Sequence, residues 1–133
     1  MRYKRRRLKR LTTNEARWFA GLIDCDGSIS FSNCLLSNHK KKKRPIVEFS
    51  SSEKKMIDEV VRITGLDFVY ELKKTCSKIY SKAQQSIRQT KPHYLWKIIC
   101  EADVEAILET IEPYLIIKRE KARNTLALIK EQL

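Results

Sequence analysis

Glycine and proline are scarce in this chain of 133 residues, at three each, and no C-x-x-C pair occurs among its four cysteines. So little glycine and proline excludes collagen-like repeats and low-complexity linkers. Cys25, Cys34, Cys76 and Cys100 are scattered, and His39 and His93 stand at no zinc-ligand spacing from them, which argues against a zinc finger or ribbon. The expectation is reduced, mostly structural thiols in an intracellular protein, because free cysteine packs like a small hydrophobe. Long apolar runs are missing too. None approaches the roughly 20 residues that span a bilayer, and no basic segment leads into a signal-like apolar core. A soluble, unsecreted chain without a membrane partner is expected.

Acidic residues are outnumbered, 16 Asp+Glu against 28 Lys+Arg, for a formal net charge of +12. A positive field of that size on so small a protein points to a polyanionic partner, with nucleic acid the first candidate. With 42% hydrophobic residues the chain can bury one modest core without disulfides or a structural metal. A basic arm over residues 1–11 and a single domain over 12–133 are therefore expected.

Thr12 and Glu15 have capping-box spacing and open a helix carrying Ala16, Trp18, Phe19, Leu22 and Ile23, which stops at Asp24-Cys25-Asp26-Gly27. From Ser28 the period becomes two, with Ile29 and Phe31 on one face and Ser28, Ser30 and Ser32 on the other. The stretch from Ser37 through Lys40, Lys41, Lys42, Lys43 and Arg44 to Pro45 reads as a basic hairpin loop, and Ile46 to Ser51 as the returning strand. In that strand Val47 and Phe49 point to the core, and Arg44, Ile46, Glu48 and Ser50 point outward. A second helix from Ser52 and Glu53 ends at Gly65. Two more strands follow, Phe68 to Thr75 and about Ala83 to Thr90, with Phe68, Tyr70, Leu72 and Ile87 facing inward and Glu71, Lys73, Thr75, Ser86 and Arg88 outward. Pro92 opens a short helix through Trp96 and Ile99, Asp103 caps another reaching Ile111, and a last helix after Pro113 carries Leu115, Leu126 and Ile129. The sum is an α+β domain, αββαββα, whose four-stranded antiparallel sheet has helices on one face and a polar, basic face left open. In so basic a chain that open face reads as a nucleic-acid surface.

The segment Phe19-Ala20-Gly21-Leu22-Ile23-Asp24-Cys25-Asp26-Gly27 resembles the motif that names the LAGLIDADG homing endonucleases, matching seven of nine positions, with Phe19 and Cys25 departing. A near-consecutive pattern at a helix end, leading into a strand, is far more specific than a lone glycine pattern. The αββαββα order is the fold this resemblance implies, over roughly residues 12–133. An EF-hand also opens with alternating acids, but here Gly27 falls at loop position four rather than six and Leu35 occupies position twelve.

The resemblance implies a site-specific double-strand DNA endonuclease that hydrolyses phosphodiester bonds with Mg2+, for which Mn2+ can substitute. Asp26 becomes the catalytic, metal-binding acid, the carbonyl of Cys25 adds a ligand, and Asp24 serves the helix end and the interface. A lysine and a polar group beside the metal-bound water are also implied. The segment near Ala102 lacks the lysine, which leaves Lys97 and Lys118 as candidates, with Ser52, Glu53 or Lys54 for the polar pocket.

Physical logic supports part of this independently. Ala20 and Gly21 inside an apolar helix make sense where two helix backbones approach closely, since Gly costs about 1 kcal/mol of helix propensity relative to Ala. With one copy of the motif, a two-fold homodimer through Trp18, Ala20, Gly21, Leu22 and Asp24 is expected, on a near-palindromic target. Strands of about nine residues at ~3.3 Å each cover roughly nine base pairs per half-site. Major-groove readout is assigned by face to Ser28, Ser30, Ser32, Arg44, Glu48, Ser50, Lys73, Ser86 and Arg88, and phosphate contact to Lys40 through Arg44. An RNA maturase, with structured RNA as partner, or a non-cleaving DNA-binding protein on the same fold fits the charge equally. A pure binder, however, has no need of a metal acid at a symmetry axis.

Overall fold

Thr12 caps helix α1 (Thr13–Asp26) through the reciprocal pair that its spacing with Glu15 predicts: its hydroxyl accepts from the Glu15 N–H, and the Glu15 carboxylate accepts from the Thr12 N–H. The computed structural model of the chain describes residues 8–35, 40–72 and 92–132. After α1 come β1 (Gly27–Leu35), β2 (Lys41–Ser51), α2 (Lys54–Thr64), β3 (Val69–Leu72), β4 (His93–Ile98), α3 (Glu101–Ile111), a 3-10 turn (Glu112–Tyr114) and α4 (Arg119–Glu131). The strands form one antiparallel sheet in the order β1-β2-β4-β3. The expected α+β, αββαββα architecture is present, with α4 added at the end.

The core lies between this sheet and the helices. Ile29, Val47, Phe49, Trp96 and Ile98 come from the sheet, and Phe19, Ile23, Ile57, Val60, Ile107, Leu108 and Ile111 from the helices. Trp96 is fully buried, meets Phe19 edge-on with ring centroids 5.5 Å apart, and donates its indole N–H to the Leu66 carbonyl at 2.9 Å. Burying each such side chain contributes about 1.5–3 kcal/mol. Gly65 ends α2 with φ 71°, the left-handed conformation that a glycine cap adopts without strain. Beside it the Lys9 N–H donates to the Thr64 carbonyl at 2.9 Å, while Leu8 and Leu11 pack on the core. The last residues of the expected basic arm are therefore docked, with a cation at a helix C-terminus, where it is favourable.

Several expectations are corrected. His93–Ile98 is a strand rather than part of a helix opened by Pro92, because Trp96 and Ile98 are buried on one face of a period of two. The strand expected at 83–90, with Ser86 and Arg88, lies outside the described residues, as do Lys73 and Cys76. Lys41 through Pro45 belong to β2 rather than to a loop. Pro45 is tolerated there because β4 pairs with β2 only from Val47 onward, so no neighbour on that side loses a donor. In β3 the phase is reversed. Val69 pairs with buried Trp96 and packs on the core, whereas Tyr70 and Leu72 turn outward. Phe31, expected inside, is half-exposed on edge strand β1 opposite Pro45. Asp103 is a buried residue of the first turn of α3, and Cys100 takes the cap position. Cys25 and Cys100 are exposed and Cys34 is half-buried, so these thiols are not core packing.

Candidate functional site

Two aspartates two residues apart at the end of α1 have opposite fates. Asp24 faces inward, 8% exposed, and its carboxylate accepts three backbone N–H groups: Ile116 at 2.7 Å, Ile117 at 3.1 Å and Lys118 at 2.9 Å. These belong to the turn that leads into α4, whose own N-cap residue, Lys118, supplies no capping side chain. Asp24 thus holds the turn ahead of α4 from another helix and sets a negative charge by the positive end of that helix's dipole. Lys118 returns the contact, its amine donating to the Asp24 carbonyl at 2.7 Å, where a cation suits the negative end of α1. Both carboxylate oxygens of Asp24 are engaged inside the fold.

Asp26, the last residue of α1, is exposed, and no described residue donates to its carboxylate. The chain enters β1 immediately afterwards through Gly27, which is extended at φ −90°. Closeness rather than flexibility requires this glycine: a Cβ would stand 2.6 Å from Ile23 Cδ1 and 2.7 Å from Ile23 Cα. The tight exit holds Asp26 where helix and sheet meet.

Register places the other candidates. Ser28 pairs with Glu48 and Glu48 with Lys97, one row across β1, β2 and β4 on the face opposite Phe49 and Trp96. Lys97 lies two strands from Ser28, about 10 Å at ordinary strand spacing. Lys118 sits instead at the end of α1, with its amine committed to Asp24. Ser30, Ser32, Arg44 and Ser50 share the open face with Ser28 and Glu48, as expected. The basic run does not act as one patch. Strand alternation keeps Lys42 and Arg44 on the open face and turns Lys41 and Lys43 the other way, where the Lys43 backbone exchanges two hydrogen bonds with the Gln132 side chain. Lys42 also pairs with Glu101 at 3.0 Å. Exposed Lys40 stands just ahead of β2.

Of the residues expected at an interface, Ala20 and Leu22 are buried in the chain's own core, and the Asp24 carboxylate is taken up by the turn before α4. Trp18 and Gly21 remain outward, and a Cβ built on Gly21 meets nothing within 4 Å. Ile116 and Ile117, 84% and 75% exposed, project from the turn held by Asp24; nothing in the local periodicity singled them out.

The donor set among the described residues fits magnesium only if further ligands come from elsewhere. Among the described residues no group of three His, Cys, Asp or Glu side chains gathers, and Asp26 supplies a single hard oxygen ligand. Magnesium is commonly held by one or two carboxylates together with substrate phosphates and water. No helix of the described residues is long and apolar enough to cross a membrane.

No family model and no curated protein matches the sequence. Solved structures do match. The homing endonuclease I-CvuI in complex with its target, in the presence of 2 mM Ca, aligns at TM-score 0.64 and 20% identity over 90% of this chain and 68% of that one. Group I intron-encoded I-CeuI complexed with DNA gives 0.62 and 14% over 92% and 56%. Archaeal intron-encoded I-Vdi141I complexed with DNA gives 0.61 and 11% over 90% and 69%. The chain spans about two thirds of the I-CvuI chains and little more than half of I-CeuI. At these identities the likeness establishes the fold, which is that of the homing endonucleases.

Proposed function

We propose that the chain is one subunit of a homodimeric, magnesium-dependent DNA endonuclease of the LAGLIDADG homing type, cutting a long, near-palindromic double-stranded site. The observation that carries this reading is the division of labour at the end of α1. Asp24 is consumed by three backbone N–H groups, while Asp26, two residues on, is exposed where α1 passes into β1, with no donor among the described residues. An exposed acid with no donor among the described residues, at the end of a helix matching seven of nine motif positions, is accounted for by an external ligand.

Asp26, with the carbonyl of Cys25, would hold the metal, completed by Asp26 of a second copy and by phosphate oxygens. Bound magnesium supplies an activated water and stabilises the leaving oxygen of in-line phosphodiester hydrolysis. This chain's residues position the reaction. Lys118 and Asp24 tie the end of α1 to α4, Gly27 fixes where β1 begins, and the open face with Lys42 and Arg44 binds and orients the duplex. Lys97, in the row that begins at Ser28, is the candidate to hold a proton or a phosphate near the cut. Gly21 and Trp18 on the free face of α1 support pairing with a second copy, because a mid-helix glycine has no reason within the subunit.

The test is selection from a randomised duplex library, in magnesium or in calcium, with the cut ends and the bound fragments sequenced. Cleavage only with magnesium at a long near-palindromic site, lost by at least 100-fold in Asp26→Asn while binding in calcium persists, is expected. Undiminished cutting by that variant refutes the assignment. Selective binding without cuts would make the protein a DNA-binding regulator on this fold, and absence of any selected duplex would turn attention to structured RNA.

A further inference from the structure

The open sheet face changes chemistry from one side to the other. Over β1 and β2 it is mostly hydroxylic and charged, with Ser28, Ser30, Ser32, Arg44 and Glu48 around a single buried Ile46. Over β4 and β3 apolar side chains enter it, beyond Lys97. Leu95 and Tyr70 continue the row begun by Ser50, and Leu72 stands opposite His93 in the row beyond. Tyr70 and Leu72 are 53% and 47% exposed, and Leu95 is half-buried. The interior does not need them, since Trp96 and Val69 of the same two strands already fill the core side. Exposed apolar groups continuous with a reading surface need an occupant with apolar chemistry.

The major groove of DNA offers one such group, the C5 methyl of thymine. We infer that Leu95, Tyr70 and Leu72 read thymine methyl groups, so that the part of each half-site beneath β3 and β4 is specified by thymines. This rests on the DNA-endonuclease reading above. A second protein copy is a poor occupant, because the same face carries Arg44 and Lys97 and two such faces would bring like charges together. RNA is poorer still, since uracil lacks the methyl group. Successive same-face residues along a strand are about 6.8 Å apart, equal to about two base pairs, so the Leu95–Tyr70 and Leu72 rows address thymines about two pairs apart.

The test uses the full chain in calcium. Each thymine preferred in the selected duplex is replaced singly by deoxyuridine, and Kd is measured at fixed salt. A loss of about fourfold per methyl is expected at thymines spaced in this way, the value of burying one such group. Leu95→Ser and Tyr70→Ser should bind the thymine and deoxyuridine duplexes equally there, with an unchanged salt slope because no charge is altered. A selected duplex that tolerates deoxyuridine at every position overturns the inference while leaving the endonuclease reading intact, and needs no protein variant to fold. Retention of the methyl effect in both variants also overturns it. Failure to select any duplex removes the endonuclease reading and this inference with it.

Discussion

Gly21→Ala separates what α1 does for the fold of a single chain from what it would do in the proposed dimer. A Cβ at Gly21 meets nothing within 4 Å, so the added methyl enters open space in the isolated subunit. There the variant gains helix propensity, about 1 kcal/mol relative to glycine, partly by restricting the unfolded chain. For a domain of this size that is a rise in Tm of about 3–5 °C. In a two-fold dimer with the helices in close contact, the same methyl appears twice in a space shaped for two hydrogens. Adding a methyl to a packed contact costs about 1–3 kcal/mol, so two cost about 2–6 kcal/mol and raise the dimer Kd at least about 30-fold. Sedimentation velocity over a dilution series measures the dimer Kd, and thermal melts below that Kd report the subunit alone. Concentration must be controlled, because dimerisation itself raises Tm by mass action. The expected pair of results is a stabler subunit and a weaker dimer. A higher Tm with unchanged dimer Kd would remove the free face of α1 from the interface, and a lower subunit Tm would refute the helix argument itself.

Asp24→Asn should lower stability by about 2–3 kcal/mol in urea titration, since it replaces a charged acceptor of three backbone N–H groups with a neutral amide, whereas exposed Asp26→Asn should change stability by no more than about 0.5 kcal/mol. Equal effects from the two would refute the separation of cap from metal acid. Arg44→Met should reduce the slope of log K against log salt by about 0.9, the share of one phosphate contact, and Lys43→Met, turned to the other face, should leave it unchanged. The Arg62 side chain hydrogen-bonds the Glu59 carboxyl and holds its pKa below the ordinary 4.5. A depressed folded value means that the pair's small stabilisation is present above about pH 4.5 and fades as pH falls through the lower folded value. Carbon-detected NMR titration of Glu59 should show this, and Arg62→Met should return the carboxyl to its ordinary range.

Elements with one apolar phase were legible from sequence, and those with two were not. Helix α1, with its capping box, and α2, with its glycine stop, have a single buried stripe and stand where periodicity put them. In β3 the run Phe68-Val69-Tyr70 offers apolar residues in both phases, so the face is decided by Trp96 on the neighbouring strand, a contact 27 residues away. The same ambiguity in Tyr94-Leu95-Trp96, together with the reading of Pro92 as a helix opener, hid β4. Pro45 misled in the same way, because a proline is excluded from a strand only where a neighbour needs its N–H.

The site shows the same limit. Asp24-x-Asp26 presents two acids at one helix end, and local spacing favours neither as the metal ligand. What distinguishes them is the turn at Ile116–Lys118, more than 90 residues downstream, which takes up Asp24 and leaves Asp26 exposed. A reader of spacing alone sees a pair of carboxylates. The fold supplies donors for one of them, and among the described residues none for the other, which stands exposed just ahead of β1.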